Sequence, residues 1–213
     1  MIFAKQQLRL IQAGRALLQL WENSILKPPY YFVRAMTQFV LENSRSNPGA
    51  DLVGAEIGVY LGLNADSVLH ALPVKKLYLI DPYRPYEGLA ENEPGGNKTQ
   101  ADFDRFFETA RNRLAKFQDK IEYIRKKSED AVNDVPDNLD FVYIDGNHKY
   151  EYVKKDIELY YPKVKRGGVL GGDNFESAYP GVARAVLEFT DKLGLEIHGR
   201  RSLITHDWWV IKK

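Results

Sequence analysis

The sequence predicts an α/β protein with a doubly wound sheet of seven strands, the last strand antiparallel. Three observations predict it. From about residue 50 short apolar runs alternate with stretches of helical period, the pattern of successive βαβ units. Three of the runs stop on an acid: Leu77-Tyr78-Leu79-Ile80 on Asp81, Phe141-Val142-Tyr143-Ile144 on Asp145, and Val169-Leu170-Gly171-Gly172 on Asp173. Such runs, bounded by Gly, Asn and Asp, read as buried parallel strands. Only Arg200–Thr205 separates the last two runs, too little chain for a helical crossover, so those strands pair antiparallel.

The elements follow in order. Residues 1–45 read as an N-terminal helical extension. Leu10, Gly14, Leu17, Leu18, Trp21 and Ile25 share one face, Pro28-Pro29 stops that helix, and Tyr30, Val33, Met36, Phe39 and Val40 form a second stripe. This pair of helices is a packing cover or the surface of a homodimer. Ser46-Asn47-Pro48-Gly49 is a loop, and residues 46–213 form one Rossmann-like domain. Strands are expected at 52–57, 76–80, 121–126, 139–144, 167–172, 194–200 and 206–212. Helices are expected at 63–71, 101–117, 150–162 and 179–192. The polar stretch 84–100, with Pro85, Pro94, Gly95 and Gly96, is a lid over a site or a surface insertion.

Composition narrows the class. Thirty Lys and Arg stand against 29 Asp and Glu in 213 residues, a balance unlike that of a dedicated nucleic-acid binder. There is no Cys, which excludes disulfides, thiolate metal sites and Cys nucleophiles. No run reaches the ~20 apolar residues of a membrane helix. Lys5, Arg9 and Arg15 interrupt the N-terminal apolar pattern, unlike a signal peptide. A cytoplasmic protein is expected.

Ligands of open α/β sheets bind at the carboxyl ends of the strands. Asp145 and the pair Asp173-Asn174 fall at two such ends, and their oxygens suit Mg²⁺ or a similar divalent cation. Asp145 could instead cap a helix or touch a cofactor, and Asp173-Asn174 could be turn residues. The first strand runs into Glu56-Ile57-Gly58-Val59-Tyr60-Leu61-Gly62, and Asp81 follows Gly58 by 23 residues, close to the ~20 of a ribose-binding acid. The acid ahead of Gly58 suits an ammonium or sulfonium better than a pyrophosphate. S-adenosylmethionine carries both cations.

The phrases Ala-Glu-Ile-Gly-Val-Tyr-Leu-Gly, Tyr-Leu-Ile-Asp-Pro-Tyr, Phe-Val-Tyr-Ile-Asp-Gly-Asn-His-Lys-Tyr and Arg-Gly-Gly-Val-Leu-Gly-Gly-Asp-Asn-Phe, with Asp156 in the helix after the third, resemble class I S-adenosylmethionine-dependent methyltransferases. The resemblance is to the macrocin-type group, methyltransferase domain family 24, with features of catechol-type O-methyltransferases. It implies that Glu56, Gly58 and Gly62 hold the methionine part of the cofactor and that Asp81 holds the ribose. Ser128 and Glu129 would meet the adenine. Asp145 would serve both cofactor and catalysis, and Asp145, Asp173 and Asn174 would be the metal set. His148 stands where the catechol enzymes carry a catalytic Lys, with Lys149 beside it.

An ordinary imidazole pKa of ~6.5 suits a general base at neutral pH, so His148 takes the acceptor proton or orients the loop. The implied activity is divalent-metal-assisted O-methylation of a small molecule such as a sugar or polyol. A NAD-dependent oxidoreductase on a similar sheet and a non-catalytic cofactor-binding module are the rival readings. His70, His198 and His206 are read as structural or surface residues.

Overall fold

A computed structural model describes residues 33–44, 51–85, 98–201 and 206–213. The expected helix ahead of Pro28 and the greater part of the 84–100 loop lie outside the described residues. Helix α1 spans Ala35–Ser44, β1 Leu52–Ile57, α2 Leu63–Ala71 and β2 Val74–Ile80. Helix α3 spans Gln100–Leu114 and opens on a capping box, in which Thr99 and Asp102 satisfy each other's backbone N–H. Strand β3 (Ile121–Ile124), the single turn α4 (Ser128–Ala131), β4 (Leu139–Ile144) and α5 (Tyr150–Tyr160) follow. Strand β5 (Val164–Gly172), α6 (Pro180–Leu193), β6 (His198–Arg201) and β7 (His206–Ile211) complete the chain.

The seven strands form one sheet in the order β3-β2-β1-β4-β5-β7-β6. Strands β1 to β5 are parallel, and β7 runs antiparallel to both β5 and β6. The expected architecture is therefore present, with the last strand inserted between its predecessor and the parallel sheet. The sixth strand begins later than expected, at His198, after a connection from the end of α6 at Leu193. Gly194 ends that helix in the left-handed region at φ 58°, its N–H bonding the carbonyls of Asp191 and Thr190.

Strand alternation sends side chains to two cores. Ala55, Ile57, Val142, Ile144, Trp208 and Val210 face α5 and α6, where Val153, Ile157, Val182 and Val186 are buried. Phe141, Tyr143, Val169 and Trp209 face the opposite layer with Met36 and Val40 of α1, Val68 of α2 and Leu114 of α3. This is the three-layer arrangement that a both-faces-buried parallel sheet requires.

Close packing at the β5–β7 seam sets where α1 lies. A Cβ on Gly171 would sit 2.2 Å from the Trp208 carbonyl and 2.8 Å from Met36 Sδ. A side chain there is excluded by backbone on one side and by the first helix on the other. Gly171→Ala is expected to cost about 1–3 kcal/mol, the usual range for overpacking. A urea titration of the variant against wild type checks this, and equal midpoints would contradict the packing argument.

Candidate functional site

The carboxyl edge of the sheet carries a row of acids in register. The backbone ladder continues one step past the strands: Asp81 N–H bonds Ile124 O at 3.2 Å, Gly58 N–H bonds Ile80 O at 2.9 Å, Asp145 N–H bonds Ile57 O at 2.8 Å, and Asp173 N–H bonds Ile144 O at 3.3 Å. Gly172 pairs with Trp208 of the antiparallel strand, so Asp207 enters the row beside Asp173. The turn after β1 comes close to the end of β4. Gly58 has φ +85°, and a Cβ there would lie 2.1 Å from the Asp145 carbonyl. Its lack of a side chain serves this approach of two strand ends, a need that the motif alone does not reveal.

On one side of the row lie the residues expected to hold a cofactor. Gly62 opens α2 at φ 74° and lets the turn pack on Ala110 and Leu114. Glu56 is 2% exposed. Its Oε1 accepts from Asn64 Nδ2 at 3.3 Å, while Oε2 is buried with no hydrogen-bond partner among the described residues. Burial pushes this carboxyl up to about 8, with Asn64 opposing and the charge of Asp145 adding to the shift. Asp81 braces the turn: Oδ2 accepts from Val59 N–H at 3.0 Å and Tyr60 N–H at 2.9 Å, and Oδ1 from Tyr83 N–H at 2.8 Å. Burial raises its pKa against these three bonds. Three acceptor positions thus serve the backbone, and a carboxylate has about four.

Ser128 and Glu129 sit just past β3, at the start of α4. Glu129 pairs with Lys155, and the Ser128 hydroxyl donates to Asp156 Oδ1. Asp156 is 4% exposed and reaches back toward the β4–α5 loop, where a Cβ on Gly146 would lie 3.9 Å from its Oδ2. Burial pushes Asp156 up to about 7 against the Ser128 bond.

On the other side of the row Arg34 bridges the acids. Its Nη1 donates to Asp173 Oδ2 at 2.5 Å and its Nη2 to Asp145 Oδ2 at 3.2 Å, with Asp207 Oδ1 3.6 Å from Nη1. The guanidinium lies 5.3 Å from the centre of the Tyr143 ring. Asp173 Oδ1 accepts from the backbone N–H of Asn174 at 2.7 Å and of His206 at 2.9 Å. Burial would raise the Asp173 pKa, but Arg34 and these bonds outweigh it and hold the carboxyl below its ordinary value. Asp207 is buried, accepts from Met36 N–H at 3.0 Å and Tyr143 Oη–H at 3.1 Å, and its pKa is raised, by burial first. Asn174 is 9% exposed at φ 64°.

These positions bear on the expected metal. Asp145, Asp173 and Asn174 do lie together at the ends of β4 and β5. Both oxygens of Asp173 and Oδ2 of Asp145, however, accept from N–H donors. Among the described residues no three His, Cys, Asp or Glu side chains are arranged to hold a metal ion. In this arrangement the expected set does not fit a divalent cation, because a guanidinium stands between its two carboxylates.

His148 Nε2 lies 3.6 Å from Asp145 Oδ1, and its ring meets Tyr179 edge-on, centroids 4.6 Å apart. An open groove beside it is lined by His148, Lys149, Tyr150, Tyr179, Pro180 and Gly181. Lys149 is exposed, and its N–H bonds Asn147 Oδ1 at 2.9 Å, shaping the loop. His206, read from the sequence as structural, places its backbone N–H on Asp173. Sequence reasoning assigned no role to Arg34, Tyr143 or Asp207. A lone Arg before a helix and an Asp in a terminal strand give no signal until β7 is known to lie beside β5.

A parallel sheet with an antiparallel terminal hairpin and acids at successive strand ends defines the class as methyltransferase-like α/β proteins. The methyltransferase-domain family Methyltransf_24 matches residues 55–175, and the chain belongs to that family. An uncharacterized protein of Acanthamoeba polyphaga mimivirus is 26% identical over 131 residues, 59% of this chain. The chain spans about half the length, 52%, of that curated relative. The O-methyltransferase NovP superposes with a TM-score of 0.59 at 20% identity, covering 84% of this chain and 78% of its own. TomG, an O-methyltransferase of Streptomyces achromogenes solved with S-adenosylmethionine, gives 0.57 at 16% identity over 97% and 89%. These likenesses establish the fold of class I S-adenosylmethionine-dependent methyltransferases. No helix among the described residues is long and apolar enough to cross a membrane.

The raised Asp156 pKa yields a stability prediction. Its folded value of about 7 exceeds the ordinary 3.8, so the native state keeps a proton that the unfolded chain releases. Its contribution to stability is therefore greatest below about pH 4 and declines as pH rises to about 7. Asp156→Asn should be more stable than wild type at pH 8 by on the order of 1–3 kcal/mol, with the difference vanishing near pH 4. Denaturant titrations at the two pH values measure it. A constant difference would place the cause elsewhere.

Proposed function

We propose that the chain is an S-adenosylmethionine-dependent O-methyltransferase acting on a hydroxyl of a small molecule such as a sugar or polyol. The observation that carries the cofactor reading is the buried Glu56 oxygen without a partner beside the glycine turn. A buried carboxyl of this kind is costly unless a cation meets it, and the cofactor's ammonium is such a cation. Asp81 has acceptor capacity left for a ribose hydroxyl, and Ser128 and Glu129 lie at the next strand end, where the base would rest. A pyrophosphate beside Glu56 would hold this carboxyl protonated and meet no cation there, which disfavours a nicotinamide dinucleotide.

When bound, the cofactor supplies a methyl group on a sulfonium, whose departing sulfur keeps the S–C bonding pair. The acceptor oxygen forms the new O–C bond from a lone pair and loses its proton. In this reading His148, whose Nε2 lies 3.6 Å from Asp145 Oδ1, receives that proton. The groove against Tyr179 and Gly181 runs beside the His148 loop, while the two ring nitrogens of His148 are themselves buried. A Cβ on Gly181 would meet the His148 carbonyl and the Tyr150 N–H at 2.7 Å each, so helix α6 holds this loop closely.

The direct test is transfer of labelled methyl from S-adenosylmethionine to a panel of sugars and polyols, together with titration of S-adenosylhomocysteine. No binding of the latter would end the reading. Glu56 predicts a signature of its own. With its pKa at about 8 it is largely protonated at pH 7, and an ammonium beside it ionises it. Binding should release roughly one proton at pH 7, seen as a binding enthalpy that depends on the buffer's ionisation enthalpy and is lost in Glu56→Gln. A buffer-independent enthalpy in wild type would separate Glu56 from the ligand. For the base, His148→Ala should lower turnover by ~10²–10⁴ with S-adenosylhomocysteine affinity retained. Undiminished turnover would remove His148 from the reaction.

A further inference from the structure

We infer that Arg34 is the resident cation of this site, held between Asp145 and Asp173 in the place of a divalent metal, and that methyl transfer proceeds without one. The part concerning methyl transfer rests on the function proposed above; the part concerning cation occupancy does not.

The guanidinium is held from several sides. It bonds Asp173 at 2.5 Å and Asp145 at 3.2 Å, and lies 3.6 Å from Asp207. It faces the Tyr143 ring at 5.3 Å, a cation–π distance. The chain on its far side is anchored as well, since Met36 N–H bonds Asp207 Oδ2 at 3.0 Å. Arg34 is therefore tied to β4, β5 and β7 through its own side chain and the start of α1. Its side chain is only 19% exposed.

Both Asp173 oxygens have donors, two of them backbone N–H groups. A Mg²⁺ ion needs carboxylate oxygens at ~2.0–2.1 Å. On Asp145 Oδ2 and Asp173 Oδ2 it would have to displace N–H donors and sit against a permanent positive charge. Arg34 thus does the charge-neutralising part of a metal's work. A guanidinium donates hydrogen bonds but offers no empty orbital to an acceptor oxygen, so removal of the acceptor proton falls to His148. Arg34 is a positioning residue in this scheme.

Manganese titration followed by electron paramagnetic resonance tests the inference, with methyl transfer assayed in parallel. Wild type should leave the free Mn²⁺ signal undiminished and should transfer methyl equally well in excess chelator. Arg34→Ala, shown folded by its thermal transition, should quench the signal stoichiometrically, because two carboxylates and Asn174 are then open to an ion. Arg34→Lys, which restores a cation, should exclude Mn²⁺ again; a purely structural role for Arg34 would produce neither change. Arg34→Gln serves the same purpose if the Ala variant does not fold.

Stoichiometric Mn²⁺ binding by wild type, or loss of methyl transfer in chelator with recovery on Mg²⁺, would overturn the inference. So would a folded Arg34→Ala or Arg34→Gln that takes up no Mn²⁺. Failure of the methyltransferase reading would appear separately, as absence of S-adenosylhomocysteine binding, and would leave the wild-type Mn²⁺ result standing.

Discussion

Four acids, Asp81, Asp145, Asp173 and Asp207, share one edge of one sheet, and their charge is the constraint around which this end of the molecule is built. Withdrawing a carboxylate from water costs several kcal/mol unless partners replace the hydration. Each acid has a different solution. Asp81 is solvated by three backbone N–H groups of the turns beside it. Asp145 and Asp173 share the guanidinium of Arg34. Asp207, the most buried, takes a phenol and a backbone N–H, and its pKa moves upward.

The local geometry follows from keeping those solutions in place. Tyr60 and Tyr83 adopt positive φ angles of 49° and 44°, a strained conformation for non-glycine residues. In that conformation their N–H groups converge on Asp81, and Tyr83 Oη–H closes the turn on the Tyr60 carbonyl at 3.0 Å. Glycine at 58 lets the β1 turn touch the end of β4. The seam at Gly171 lets α1 settle against β5 and β7, which brings Arg34 to the acids. Backbone packing and charge compensation are one arrangement here.

The edge is divided in use. Among the described residues Glu56, Asp81 and Asp156 form no ion pair, and burial shifts Glu56 and Asp156 up to about 8 and about 7. That half is left under-compensated, as suits a cationic ligand. The half at Asp145 and Asp173 carries its own cation, and His148 stands at its border with a groove open beside it.

Much of this was legible in the chain before folding. Near-continuous apolar runs with acid stops located the strands, because apolar composition and strand-end chemistry are local properties. The antiparallel hairpin followed from the shortness of its connection. Asp81, Asp145 and Asp173 are legible because each follows a strand end, and in a doubly wound sheet strand ends converge; Glu56 comes from the glycine turn and His148 from the resemblance to catechol-type enzymes. The expected 194–200 strand starts at His198, because Gly194 at positive φ ends the helix and Leu195–Ile197 connect it to the sheet. Tertiary structure alone decided that β7 inserts beside β5, that Asp207 thereby joins the acids, and that Arg34, 111 residues before Asp145, supplies their counter-charge. Those are contacts between residues distant in sequence, and no local periodicity, turn signal or motif spacing encodes which distant charge a buried acid will meet.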